Sequence, residues 1–102
     1  MFLVVVMHTC KPDMVEAAIR RIDRNGEMMS EVPGFLFRHR TQATHSERVI
    51  GTVTGWDDEP AYERWIEIKR RLPDEGPSPY EHAKSERHRV IRSHAPAYSG
   101  GA

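Results

Sequence analysis

Trp56, Tyr62 and Trp65 bring both tryptophans of the chain and one of its three tyrosines into one short window. Tyr62 and Trp65 stand three residues apart, a spacing that puts two side chains on one face of a helix. Trp56 closes the strand-like run before them, and a buried tryptophan there needs a partner for its indole N–H, either a backbone carbonyl or a bound ligand. Taken by spacing alone, Tyr62 and Trp65 read as an aromatic core stripe on an amphipathic helix more often than as a site, and Trp56 is the stronger candidate for a cavity wall. Other chemistries fall away by residue type and spacing. The six histidines, at positions 8, 39, 45, 82, 88 and 94, have no HExxH or comparable ligand spacing, so no zinc or iron site is expected. The serines lack a glycine-framed elbow and there is no glycine-rich phosphate loop, which sets aside hydrolase and nucleotide-dependent readings. One cysteine, Cys10, excludes an internal disulfide and a cysteine-rich zinc site; it is read as a packed thiol in a reducing, cytoplasmic compartment.

The elements that must hold these residues belong to one domain. A chain of 102 residues buries a modest share of its surface, so its stability benefits from a partner chain. Residues 1–95 are read as that domain and 96–102 as a flexible tail. Fifteen Lys and Arg balance fifteen Asp and Glu, which gives no reason to expect a nucleic acid or an anionic membrane as partner. The apolar start, FLVVVM, has no basic segment before it and is too short for a membrane span or secretory signal. It reads instead as a strand apolar on both faces, with Phe2, Val4 and Val6 on one and Leu3, Val5 and Met7 on the other.

Lys11-Pro12-Asp13 breaks that strand, and Asp13 with Glu16 predicts a capping box for a helix running to about Ser30. Its apolar face is Val15, Ala18, Ile19, Ile22 and Met29. Val32-Pro33-Gly34 opens a second strand, FLFRHRTQ, whose Phe35, Phe37 and His39 alternate with Leu36, Arg38 and Arg40. The first set is expected to face an apolar region, with His39 either a polar handle in a pocket or a strand-end histidine met by solvent. Arg38 and Arg40 could bind an anion or form an exposed charged face. A third strand, Arg48 to Trp56, makes a hairpin with the second and points Ile50, Thr52, Thr54 and Trp56 one way. Asp57 or Asp58 caps the next helix, whose buried side is Tyr62, Trp65, Ile66 or Ile68, and Leu72 and which stops before Pro73. The segment PDEGPSPY is a loop of the kind that folds over a site. A final strand is expected at His88 to Ser93. The order βαββαβ predicts a ferredoxin-like α+β fold, a four-stranded antiparallel sheet with two helices on one face. Because the first strand is apolar on its other side too, an identical subunit is expected to cover that side about a two-fold axis.

At VPGFLF followed by VIGTVTGWDDEPAYERW, the chain resembles the antibiotic biosynthesis monooxygenase family of dimeric α+β barrel proteins, roughly over residues 2 to 72. The resemblance implies a pocket between sheet and helices and, in some members, oxidation of a small aromatic or polycyclic phenol or quinol by dioxygen without metal or flavin. Trp56 and Tyr62 would then donate to the developing oxyanion, and Thr52 stands where aromatic-polyketide oxygenases of this kind have asparagine. Thr52 donates one hydrogen bond and does not reproduce a carboxamide. Trp65 would form a pocket wall, with His39, Met7, Ile50 and Phe37 as further substrate-contacting candidates. The haem-degrading branch of the family matches at Trp65, which makes haem the alternative to an absent cofactor. That branch has an asparagine near Met7 and a histidine where this chain has Asp74-Glu75, with His82 further along. A non-catalytic small-molecule-binding or pathway accessory protein with the same cavity is the competing class.

Overall fold

The computed structural model describes residues 1–97, so residues 98–102 of the expected tail lie outside the described residues. The elements run β1 Phe2–Cys10, α1 Val15–Met29, β2 Phe35–Gln42, β3 Val49–Trp56, α2 Glu59–Arg70 and β4 Tyr80–Arg89. They form the expected ferredoxin-like α+β arrangement, a fully antiparallel sheet in the order β2-β3-β1-β4.

The apolar run of β1 places it at the centre of the sheet, between β3 and β4. Its alternation divides the sheet into two faces. Phe2, Val4, Val6 and His8 lie across from Trp56, Thr54, Thr52 and Ile50 of β3 on the helix-covered face, while Leu3, Val5 and Met7 lie across from Gly55, Val53 and Gly51 on the open one. Both helices pack on the first of these faces. At one end Phe2, Val4 and Trp56 meet Met29 at the end of α1, Val32 just beyond it, and Ala61 and Trp65 from α2. At the other end Cys10 and Ile50 meet Ala18 and Ile22 of α1. The core is thus two apolar clusters with a gap between them.

The helix ends follow their sequences unevenly. Asp58 caps α2, its Oδ1 accepting from the Ala61 N–H at 2.9 Å, and Pro60 sits in the first turn where its missing N–H costs nothing. On its buried side Trp65 is 1% exposed, whereas Ile68 faces solvent. Asp13 does not cap α1 as expected. The position before that helix is Met14, with no side-chain cap, and Asp13 adopts a positive φ of 68° in the turn, a conformation an aspartate tolerates better than most residues.

The last strand corrects a larger expectation. It runs from Tyr80 to Arg89, not from His88 to Ser93, and nearly all of it is exposed. Its sequence, YEHAKSERHR, carries no apolar alternation because β4 is an edge strand held by its ladder with β1 from Phe2↔Arg89 to Thr9↔His82. Charged residues there discourage pairing with another sheet.

Candidate functional site

The helix-covered face of β3 reads Ile50, Thr52, Thr54, Trp56, and that of β1 reads Phe2, Val4, Val6, His8. Two threonines and a histidine therefore occupy positions between the apolar clusters where aliphatic side chains would have closed the core. What results is a partly open cavity of about 370 Å³ between sheet and helices. Val4, Val6, Met29, Trp56, Trp65 and Ile66 form its apolar part, and His8, Asn25, Arg38, Thr52 and Thr54 its polar part. A second, broader depression along the outer side of α2, at Glu59, Glu63 and Ile68, is an open surface groove.

Among the described residues, the buried side-chain polar atoms without a hydrogen-bond partner are Asn25 Oδ1, Arg38 Nε, Thr52 Oγ1 and Trp56 Nε1. All four belong to residues lining this cavity. A buried donor or acceptor left unpaired costs about 1–3 kcal/mol, so an arrangement that gathers four of them calls for a polar guest, water or ligand. The guest must accept from an indole N–H and a guanidinium N–H and can exchange hydrogen bonds with a hydroxyl and an amide oxygen.

Trp56 is fully buried and fixed by neighbours on two sides. Phe35 meets it edge-on at 5.5 Å and Tyr62 tilts against it at 5.9 Å, which holds the indole in one orientation. Tyr62 also carries the Arg87 guanidinium of β4 over its ring at 4.9 Å. Burial pushes the Tyr62 hydroxyl up, an effect that Arg87 opposes and Glu63 adds to, so at neutral pH the phenol keeps its proton and can donate.

His8 sits at the other side of the threonines, 8% exposed, with its ring tilted against that of Tyr80 at 4.7 Å between centroids. Its Nδ1 lies 3.0 Å from the Ile50 carbonyl oxygen. A carbonyl only accepts, so Nδ1 carries the proton and Nε2 keeps the lone pair. Burial holds the imidazole below its usual range; the Ile50 carbonyl pulls the other way, and Arg38 and Lys69 reinforce the burial. The Arg38 guanidinium, itself pushed down by burial, donates from Nη1 to the Ile22 carbonyl of α1 and crosses the helix beside Gly26, where a side chain would crowd it.

The loop after α2 closes one side. Glu75 lines the cavity and pairs with Arg21 at 3.2 Å and with Arg24, while Arg21 also donates to the carbonyls of Glu75 and Pro77 at 3.2 Å each. Lys11 N–H donates to the Pro79 carbonyl at 2.8 Å and pins the far end of the loop to the start of the chain.

Of the residues expected at a site, Thr52, Trp56, Tyr62 and Trp65 come together on the cavity wall. Ile50 lies on the same sheet face but is fully buried in the second apolar cluster. Met7, Phe37 and His39 do not join them. Met7 pairs across from Gly51, Phe37 from Gly55 and His39 from Val53, all on the open face. Met7 is out of phase with Val6 and His8 on β1, and for Phe37 and His39 the cause is an irregularity between Phe35 and Phe37, which leaves Phe35 against Trp56 and turns Phe37 over Gly55. The same shift takes Arg38 and Arg40 to the helix face, where Arg40 pairs with Asp23 of α1 at 2.9 Å. Sequence reasoning missed His8, Asn25 and Arg38 as lining residues. His8 is in phase with Phe2, Val4 and Val6, and Asn25 is three residues after Ile22 and four before Met29, so polar residues at buried positions were the available signal.

The model of the antibiotic biosynthesis monooxygenase family matches residues 1–67. No curated protein matches the sequence. Similar solved structures include PA3566 from Pseudomonas aeruginosa, 17% identical, covering 89% of this chain and 94% of that one with a TM-score of 0.74. The heme-degrader MhuD from Mycobacterium tuberculosis, with two hemes bound in its active site, is 14% identical, covering 93% and 100%, with a TM-score of 0.73. SnoaB, a cofactor-independent oxygenase from Streptomyces nogalater, is 12% identical, covering 90% and 94%, with a TM-score of 0.72. At these identities the likeness is one of fold.

Proposed function

The chain belongs to the antibiotic biosynthesis monooxygenase family, and from that premise we propose that it is a cofactor-independent monooxygenase acting on an aromatic or polycyclic phenol or quinol of polyketide type. The observation that carries this reading is the set of orphaned polar atoms on residues that line an aromatic-walled cavity. A planar guest with ring oxygens would pack on Trp56, Tyr62 and Trp65 while its oxygens meet the Trp56 and Arg38 N–H groups and the Thr52 hydroxyl.

That arrangement suits a reaction in which the substrate is its own reductant. Deprotonated, an electron-rich phenol gives an electron to dioxygen; a carbon–oxygen bond then forms at the ring carbon, and loss of water leaves a quinone. The balance is phenol plus dioxygen to para-quinone plus water, with all electrons supplied by the substrate. Donors aimed at the phenolate oxygen lower the barrier, each by a few kcal/mol in a site closed to water. Trp56 and Tyr62 are the proposed donors, Thr52 the proposed orienting group, and Trp65 the wall.

Haem does not fit the residues in the way the resemblance would place it. His82 lies on β4 across from Thr9, on the open face of the sheet, and Glu75, which replaces the histidine of the haem-degrading branch, is tied to Arg21 and Arg24. The accessory-protein reading shares the cavity and differs only in turnover.

A second copy of the chain is proposed to cover the open face. Leu3, Val5, Phe37 and Val53 are only half-buried there and Met7 is 44% exposed, a contiguous apolar surface of the kind that marks an interface.

Oxygen-electrode measurements with a panel of hydroquinones and anthrones test the activity. Uptake of one dioxygen per quinone formed, with water and not hydrogen peroxide as co-product and no effect of chelators, is expected. Saturable binding without uptake gives the accessory reading, and a stoichiometric Soret shift on adding haem gives the haem one.

A further inference from the structure

Phenol oxidation of this kind begins with loss of a proton, and the cavity holds one side chain shaped to receive it. We propose that His8 is the general base, its Nε2 taking the phenolic proton of the bound substrate; this rests on the phenol-oxygenase reading above.

The geometry of the ring is the argument. Nδ1 is committed as a donor to the Ile50 carbonyl at 3.0 Å, and the two ring nitrogens point in widely different directions, so Nε2 turns from the sheet toward the cavity that His8 lines. Tyr80 against one face of the ring at 4.7 Å holds it there. Orientation by a fixed second hydrogen bond is what a base needs. Other basic groups are poorer acceptors: Arg21, Arg38 and Lys69 on the lining are cations, and the Glu75 carboxylate is spent on Arg21 and Arg24.

The charges that face His8 also set when it works. Burial disfavours the imidazolium and, against the pull of the Ile50 carbonyl, so do Arg38 from β2 and Lys69 from α2, so the free protein holds the ring neutral and ready. Arg21 from α1, Glu75 from the loop and the Tyr80 hydroxyl from β4 complete the ionisable surroundings. A substrate phenolate reverses the balance. The cations that repel the imidazolium attract the phenolate, and the phenolate in turn stabilises the imidazolium beside it. The proton then has a destination: it passes from Nε2 to the departing peroxide oxygen, and with the proton lost from the ring carbon it makes the water released.

The test uses 2-hydroxyanthraquinone, whose phenol and phenolate differ in the visible and which is already oxidised and so does not turn over. Bound to the protein it is expected to ionise at lower pH than in solution, and in His8→Asn and His8→Gln that ionisation is expected to move up by about one pH unit or more. An ionisation identical in the native protein and in both folded variants overturns the assignment of His8 while leaving the oxygenase reading in place. Nitrogen-15 NMR of the unmodified protein gives a second readout that needs no variant. The His8 ring is expected as the Nδ1–H neutral form without the probe and as imidazolium with it; a ring that stays neutral beside bound phenolate overturns the proposal. Failure of the probe to bind overturns both readings together.

Discussion

Thr52 separates stability from function more cleanly than any other residue of the site. Its hydroxyl is buried, 1% exposed as a residue, and unpartnered. Thr52→Val keeps the shape and removes a desolvated polar atom, so the unfolding free energy of the ligand-free protein in urea is expected to hold or rise, by about 1 kcal/mol at most, while binding of a phenolic ligand weakens by about fivefold or more. A variant that loses stability and keeps its affinity contradicts the role. Trp56→Phe and Tyr62→Phe remove one donor each and are expected to lower kcat by about ten- to a hundredfold with the fold retained, as single-turnover rates would report. The pH response belongs to His8. Its folded value lies below the unfolded value of about 6.5, so between the two the unfolded chain binds the extra proton; stability rises with pH across that window and is lost as pH falls below about 6.5. His8→Gln is expected to flatten that slope in urea midpoints taken at steps of pH.

At the scale of elements, two joints hold the cavity in shape. Gly34 enters β2 with φ of +93°, and a Cβ there would stand 2.6 Å from that of Ala61 at the start of α2. Gly34→Ala is therefore expected to cost about 1–3 kcal/mol in chemical denaturation, through backbone strain and the displaced helix start together. Glu75 is the other joint. Glu75→Gln gives up its ion pairs with Arg21 and Arg24, and faster amide exchange over residues 73–79 with a raised KM is the expected result; exchange unchanged from the native protein would mean that the backbone contacts from Arg21 and Lys11 hold the loop alone. What could be read from sequence divides along the same lines. Strong periodicity and punctuation placed β1, β3 and α2, and narrowed the cap of α2 to Asp57 or Asp58, because those signals are local. Tyr80–Arg89 carried none, since an edge strand with solvent on nearly every residue needs no apolar pattern and is specified by its ladder to β1. Phe37 and His39 were assigned to the wrong face because an irregularity beside Phe35 leaves no mark in the alternation itself. Tyr62 and Trp65 were singled out by their spacing, Trp56 by its place at a strand end and Thr52 only by the family resemblance, whereas His8 was passed over although it continues the buried set of Phe2, Val4 and Val6.

For the whole molecule, the sheet has one face filled by helices and one left apolar. Gly51 and Gly55 have no side chains of their own there, and Met7 and Thr41 lie over the first and Phe37 over the second, so the apolar part of the face runs along β1 and β3 and is bordered by Lys84, Glu86 and His88 of β4. A two-chain mass is expected in sedimentation at micromolar concentration, and Val53→Glu, which puts a charge at the middle of that surface, is expected to halve it. A single-chain mass for the unmodified protein would remove the second copy. Because Val53 points away from the cavity, phenol affinity in the variant reports whether the two faces of the sheet communicate.

The pairing of β1 with β4 has a temporal consequence. Its other neighbour, β3, is complete by Trp56, but the edge strand that contributes Tyr80, Ala83 and Ser85 to the chamber is among the last described residues to be synthesised. Until then β1, the most apolar strand of the protein, has one unsatisfied edge, and the chamber has no wall on that side. Docking of β4 is thus both the step with the longest loop to close and the step that ends exposure of an aggregation-prone template. The dense charge of YEHAKSERHR keeps that late segment in solution while it waits.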